Sequence, residues 1–304
     1  MPNRTLVVAA LAVVVLTTIA MAGAAWASEP AAAASGITLP VAVALGALQG
    51  ATEFLPVSSS GHLALGQAFF EVDPEAGGHR FSIVAHGGTL LAVLWMYRRD
   101  VLELAAVPFR PLTPSPARQT LVMMVLATLP LSLVLVPGVE DAILVVESST
   151  RLVGGCLLLT AAILFVAFRR GSEAGEELAP PPPSPRQALL VGLAQLVAVL
   201  PGVSRSGSTI AAGLGLGLSR SAAARFSFLI SIPAILGATV LELRKLGQET
   251  GPVDPWPYAA GFVVSFGVGL ACLRLLLLLV RRGRIDGFVI YLAIVGTAAI
   301  VWGA

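Results

Sequence analysis

The sequence predicts an all-α integral membrane protein, an inverted-topology repeat in which each unit is a re-entrant helical hairpin followed by three transmembrane helices. Four observations lead there. Of 304 residues, 56% are hydrophobic and 12% charged, and the mean hydropathy is +0.88, whereas a soluble domain carries about 25% charged residues. The apolar residues arrive in blocks such as 121–136, 262–280 and 288–302, the lengths a bilayer core demands of a helix. One polar pattern interrupts the apolar sequence twice: Gly46-x-x-Gln49 … Phe54-Leu55-Pro56-Val57-Ser58-Ser59-Ser60-Gly61, then Gly192-x-x-Gln195 … Val199-Leu200-Pro201-Gly202-Val203-Ser204-Arg205-Ser206-Gly207. Fourth, the basic residues fall unevenly on the two sides that the apolar blocks define.

Residues 1–27 combine Arg4, an apolar stretch and Ala25-Trp26-Ala27-Ser28, which reads as a signal peptide or an extra N-terminal transmembrane helix. The first unit then occupies 37–170. Its motif splits the apolar sequence into 39–55 and 63–70, pieces too short to cross separately, so 39–70 is expected to enter and leave by one face. Spans follow near 81–97, 121–136 and 152–168. Pro180 to Pro183 and Pro185 mark a stiff linker over 171–187, because proline cannot continue a helix. The second unit, 188–304, repeats the plan with a hairpin over 188–218 and spans near 226–243, 258–280 and 285–302.

An odd number of crossings per unit inverts the second unit relative to the first. The loops 98–118, 169–186, 220–225 and 281–284 collect 12 basic residues, and the opposite face collects four, Arg80, Arg151, Arg244 and Lys245. The first face is therefore expected to be cytoplasmic. The first polar loop then dips in from outside and the second from the cytoplasm, meeting near the midplane. With the basic residues in short loops, the net charge of +2 gives no reason to expect nucleic acid. Cys156 and Cys272 lie in apolar spans and read as small hydrophobes.

Irregular polar backbone survives at membrane depth only inside protein or beside water. Gln49 and Glu53 stand i and i+4 on one helix face, two oxygen donors suited to a hard divalent cation whose shell a phosphate and waters complete. Ser58, Ser59, Ser60 and His62 follow. The second motif supplies Ser204, Arg205, Ser206, Ser208 and Thr209: a helix start, a guanidinium fork and hydroxyls, which together suit a phosphate. The plainer alternative is a pair of capped half-helices in which Arg205 neutralises Glu53. His86, inside a span beside Gly87 and Gly88, reads as a hydrogen-bonding support behind the site.

Gln49-x-x-x-Glu53-Phe54-Leu55-Pro56-Val57-Ser58-Ser59-Ser60-Gly61-His62 and Pro201-Gly202-Val203-Ser204-Arg205-Ser206-Gly207-Ser208-Thr209 strongly resemble the two signatures of bacterial undecaprenyl-pyrophosphate phosphatases, the bacitracin-resistance type. The resemblance runs from about Ile37 to the C-terminus. It implies hydrolysis of undecaprenyl pyrophosphate to undecaprenyl phosphate plus phosphate, which recycles the lipid carrier for peptidoglycan synthesis. It implies a divalent cation, Mg2+ or Ca2+, and an indirect link to bacitracin through the shared lipid. By the resemblance Glu53, Ser59 and His62 are catalytic, Gln49 and Glu53 hold the metal, and Arg205 holds the pyrophosphate. Beside Arg205, Ser58, Ser60, Ser204, Ser206 and Thr209 are expected to bind phosphate. Gln49 stands where the family more often has Glu, and the leader is an addition. The expected setting is the bacterial inner membrane, with the site opening toward the periplasmic face, the bilayer and the polyprenyl pyrophosphate as partners, and a homodimer left open. Ser59, a water or His62 are the candidate nucleophiles. Inverted repeats with broken helices also build secondary transporters and flippases, the alternative for this chain.

Overall fold

The computed structural model describes residues 37–73, 77–110, 113–170, 181–243 and 254–303. The leader over 1–27, most of the linker (171–180), and Arg244 with Lys245 lie outside the described residues. Among the described residues every regular element is helical.

Helix α1 (Leu39–Phe54) carries Pro40 in its first turn, where a missing N–H has no helical partner to lose. It ends at Phe54 because Leu55 precedes Pro56 and takes the extended conformation that a following proline imposes. Helix α2 (Ser59–Phe69) begins four residues before the apolar piece expected there. The Ser58 hydroxyl accepts from the Gly61 N–H and caps it. Helices α3 (His79–Met96), α4 (Arg98–Ala106), α5 (Pro116–Thr128), α6 (Val139–Glu147) and α7 (Thr150–Arg170) complete the first half; α5 tightens into a 3-10 helix over Leu129–Leu135, where Pro130 has no N–H to give.

The second half holds α8 (Pro185–Val197), α9 (Arg205–Gly215), α10 (Arg220–Leu243), α11 (Pro255–Arg281) and α12 (Asp286–Trp302). Helix α8 starts at Pro185, inside the expected linker, because Ser184 and Gln187 form a reciprocal capping box with proline at the first helical position. Two helices were not expected, α4 and α6. Each has nine residues, too short to stand out by periodicity among longer apolar spans.

Four helical stretches are long and apolar enough to cross a membrane: Pro116–Leu135, Thr150–Arg169, Arg220–Leu243 and Pro255–Arg281. Helices α1 and α12 are apolar but shorter. Helix α3 carries His79, Arg80, Ser82 and His86 among its apolar residues, the polarity expected of a helix lining a polar site. The chain is a multi-pass helical membrane protein.

The halves are laced together, each lending its first helix to the other: α1 packs on α11, and α8 packs on α5. Both crossings use glycine. A Cβ on Gly46 would lie 2.7 Å from the Gly261 carbonyl oxygen, and one on Gly192 would lie 2.4 Å from that of Ala127. Where lipid replaces water, such close backbone contact is what holds helices together. Below the site, Phe54 meets Phe228 edge-on at 6.0 Å, and Tyr97 stacks on Phe228 at 6.2 Å. All three rings belong to the buried core, and Phe54 stands directly after Glu53 in the chain.

Candidate active site

Each half contributes one break between paired short helices, and the breaks meet. In the first, Ser58 adopts φ 72°, a left-handed conformation that costs a serine about 1–3 kcal/mol and must be held by its surroundings. Contacts across the fold and within α2 hold both its polar groups. The Ser58 hydroxyl accepts from the Gly202 N–H at 3.1 Å, and the Ser58 carbonyl faces His62 Nδ1 at 2.8 Å. In the second break Gly202 has φ 97°, and a Cβ there would lie 2.5 Å from the Val153 carbonyl oxygen, so only glycine fits. Thr160 of α7 anchors this break, donating its hydroxyl to the Gly202 carbonyl and accepting from the Ser204 N–H, each at 3.0 Å.

Glu53 stands at the centre, 6% exposed. Its Oε2 accepts from Gln49 Nε2 at 2.9 Å and from the Ser59 hydroxyl at 2.7 Å. Its Oε1 accepts from the Arg205 guanidinium, which reaches across from the other half. The ion pair of the plainer alternative is thus formed, and with it a serine hydroxyl shares the carboxylate. A buried carboxylate needs such a partner, since an uncompensated charge at this depth is prohibitively costly. His86 Nε2 lies 3.9 Å from Oε2, and its Nδ1 bonds the Ser82 carbonyl at 2.8 Å.

Ser59 and Arg205 occupy the first position of α2 and α9 respectively, so both side chains and the free N–H groups of both helix starts converge on one place. The arrangement can bind an anion at the guanidinium and the helix N-termini, and it sets a hydroxyl against a carboxylate that can take its proton.

The remaining hydroxyls mostly tie the loops together. Ser204 caps α9 and lies 3.2 Å from the Ser206 hydroxyl, which makes a long 3.5 Å contact to the Leu55 carbonyl. Thr209 back-bonds to the Arg205 carbonyl at 2.7 Å and meets the Ser227 hydroxyl at 2.5 Å. Ser60 is exposed, 3.4 Å from the Ser58 hydroxyl. His62 sits away from the Glu53 cluster, its Nε2 on the Tyr291 hydroxyl at 2.8 Å and its ring stacked on that of Tyr291. Tyr291, Thr160 and Ser227 escape a sequence reading. Each is one of two or more hydroxyl-bearing residues in a mostly apolar helix, and nothing local marks it out or names its partner.

As to a metal, no three His, Cys, Asp or Glu side chains cluster among the described residues. The Gln49 Oε1 is buried without a hydrogen-bond partner beside the Glu53 carboxylate. That leaves one spare amide oxygen and one carboxylate, an all-oxygen set that fits a hard dication if phosphate and water supply the rest.

Fold and site together define a class: a multi-pass helical membrane protein with a largely buried polar site, an arginine–glutamate pair beside two helix starts, where two broken helices meet. The chain belongs to the family described as bacitracin resistance protein BacA, whose model matches residues 42–298. Relatives named undecaprenyl-diphosphatase match it over nearly their whole length. One from Methanosphaera stadtmanae is 35% identical, covering 86% of this chain and 96% of the relative. One from Korarchaeum cryptofilum is 38% identical over 84% and 96%. One from Rubrobacter xylanophilus is 39% identical over 82% and 93%.

Proposed function

We propose that this chain hydrolyses undecaprenyl pyrophosphate to undecaprenyl phosphate and inorganic phosphate, returning the lipid carrier to peptidoglycan synthesis. Beyond the family, the observation that carries this is the Ser59 hydroxyl donating to the Glu53 carboxylate at 2.7 Å while Arg205 enters from the opposite loop. The substrate's terminal phosphate lies against Arg205 and the first amides of α9. Ser59 Oγ attacks the terminal phosphorus and its proton passes to Glu53 Oε2. As the Oγ–P bond forms, the bridging P–O bond breaks and its electron pair leaves with undecaprenyl phosphate. Water then hydrolyses the phosphoserine, releasing phosphate and restoring the hydroxyl. Several guanidinium donors remain for phosphate oxygens, since one Arg205 nitrogen suffices for Glu53.

A divalent cation, Mg2+ or Ca2+, fits at Gln49 Oε1 and Glu53, where it would screen charge on the equatorial phosphate oxygens. The chain reads as two inverted repeats. In support, Ser58 and Ser204 each cap the second short helix of their half, and each half lends its first helix to the other. The basic-residue asymmetry supports a site opening to the periplasmic side of the bacterial inner membrane, with the polyprenyl tail among apolar helices. Bacitracin is linked to the protein only through that lipid.

The test is to incubate purified protein in detergent with terminally labelled undecaprenyl pyrophosphate and quench early. Labelled phosphoserine at position 59 and no turnover by Ser59→Ala are expected; wild-type turnover by Ser59→Ala refutes the serine mechanism.

A further inference from the structure

His62 is buried, and both its ring nitrogens are engaged away from Glu53. A carbonyl only accepts, so Nδ1 carries the proton that bonds the Ser58 carbonyl. Nε2 then accepts from the Tyr291 hydroxyl. The ring thereby joins α12 to the one strained residue of the first loop. Ser58 at φ 72° is the residue immediately before Ser59, so its conformation sets the direction in which the Ser59 side chain leaves the backbone. The Ser58 hydroxyl accepts from the Gly61 and Gly202 N–H groups, its carbonyl accepts from the backbone N–H and Nδ1 of His62, and the His62 ring stacks in turn on Tyr291 with rings 5.6 Å apart and 17° from parallel.

We propose that His62 and Tyr291 form a strut that holds the Ser58 backbone in its left-handed conformation and so aims the Ser59 hydroxyl at Glu53. His62 and Tyr291 are positioning residues, and neither exchanges a proton with the substrate. The strut couples the second half's last helix to the first half's nucleophile. Nothing in the sequence spacing, which separates these two side chains by 229 residues, foretells it. The inference rests on the phosphatase reading with Ser59 as nucleophile.

The geometry separates this role from acid–base catalysis through one isostere. Asparagine carries an N–H where His62 carries Nδ1–H and can keep the bond to the Ser58 carbonyl, but it has no titratable nitrogen. The experiment measures phosphate release from undecaprenyl pyrophosphate by the purified full chain in detergent across pH, for wild type, His62→Asn, His62→Ala and Tyr291→Phe. The strut predicts that His62→Asn, which keeps the Ser58 bond but loses the Tyr291 hydroxyl and ring, falls at least about tenfold in kcat, while His62→Ala, which loses all of these, falls at least about a further tenfold. It predicts that Tyr291→Phe, which removes one oxygen from a packed ring, loses about tenfold in kcat with KM and the shape of the pH profile unchanged. His62→Asn as inactive as His62→Ala, with one limb missing from its pH profile, overturns the proposal in favour of proton transfer by His62. Wild-type kcat in Tyr291→Phe overturns it as well. Wild type without phosphate release contradicts the phosphatase reading itself, a separate outcome from either of these.

Discussion

The ion pair between Glu53 and Arg205 joins two loops 152 residues apart, so breaking it from one side should damage folding and turnover together. In Arg205→Ala the Glu53 carboxylate, whose side chain is 4% exposed, is left as an uncompensated buried charge. Truncating one partner of such a pair costs about 3–5 kcal/mol, which corresponds to a fall in Tm of roughly 10 °C for a chain of this size. Glu53→Gln combined with Arg205→Met removes both charges and keeps an oxygen to accept from Ser59. The double variant is therefore expected to regain most of the lost stability. It regains no activity, because the phosphate grip and the proton acceptor are both gone. Cys272 is buried, so thermal unfolding can be followed in detergent by the reaction of its thiol with a dye. An Arg205→Ala protein that melts with wild type, or a double variant no more stable than Arg205→Ala, refutes the reasoning.

Three further outcomes follow from contacts described above. Thr160→Val deletes the hydroxyl that ties Gly202 and Ser204; about 1–3 kcal/mol of stability and a larger share of kcat should be lost, and unchanged kinetics would show that the tie does not position Arg205. Gly46→Ala puts a methyl 2.7 Å from the Gly261 carbonyl oxygen. It should lower stability by about 1–3 kcal/mol, read as reduced Tm and yield of folded protein, and a wild-type Tm would show that α1 and α11 can separate at no cost. Gln49→Glu adds a second carboxylate beside Glu53, so half-maximal activity should need less Mg2+ or Ca2+ than in wild type; an unchanged cation titration argues against a cation at this pair.

The sequence made the polarity of this protein plain and its connections obscure. Long apolar blocks and two proline-stopped polar motifs marked the spans and loops, because a bilayer imposes length and each proline imposes an end. Gln49, Glu53, Ser59 and Arg205 stood out as polar groups where polar groups are costly, and the structure brings them together. The duties of the hydroxyls were not legible. Ser58, Ser204, Ser206 and Thr209 looked like a phosphate cradle, yet they spend their hydrogen bonds on caps, on each other and on the opposite loop. A serine that caps and a serine that binds have the same spelling. His62 is the sharpest case, since its partner Tyr291 sits in the last helix and no local pattern points across that distance. The short helices α4 and α6 were missed because nine residues give periodicity too little room.

The most direct test of the central claim, that one phosphatase site is assembled from both halves, is phosphate release from undecaprenyl pyrophosphate by the purified chain, set against Glu53→Ala and Arg205→Ala. The expected result is turnover by wild type and a loss of at least about a hundredfold in each variant, although the two residues come from opposite halves. A wild-type chain that releases no phosphate, or either variant turning over at the wild-type rate, contradicts it.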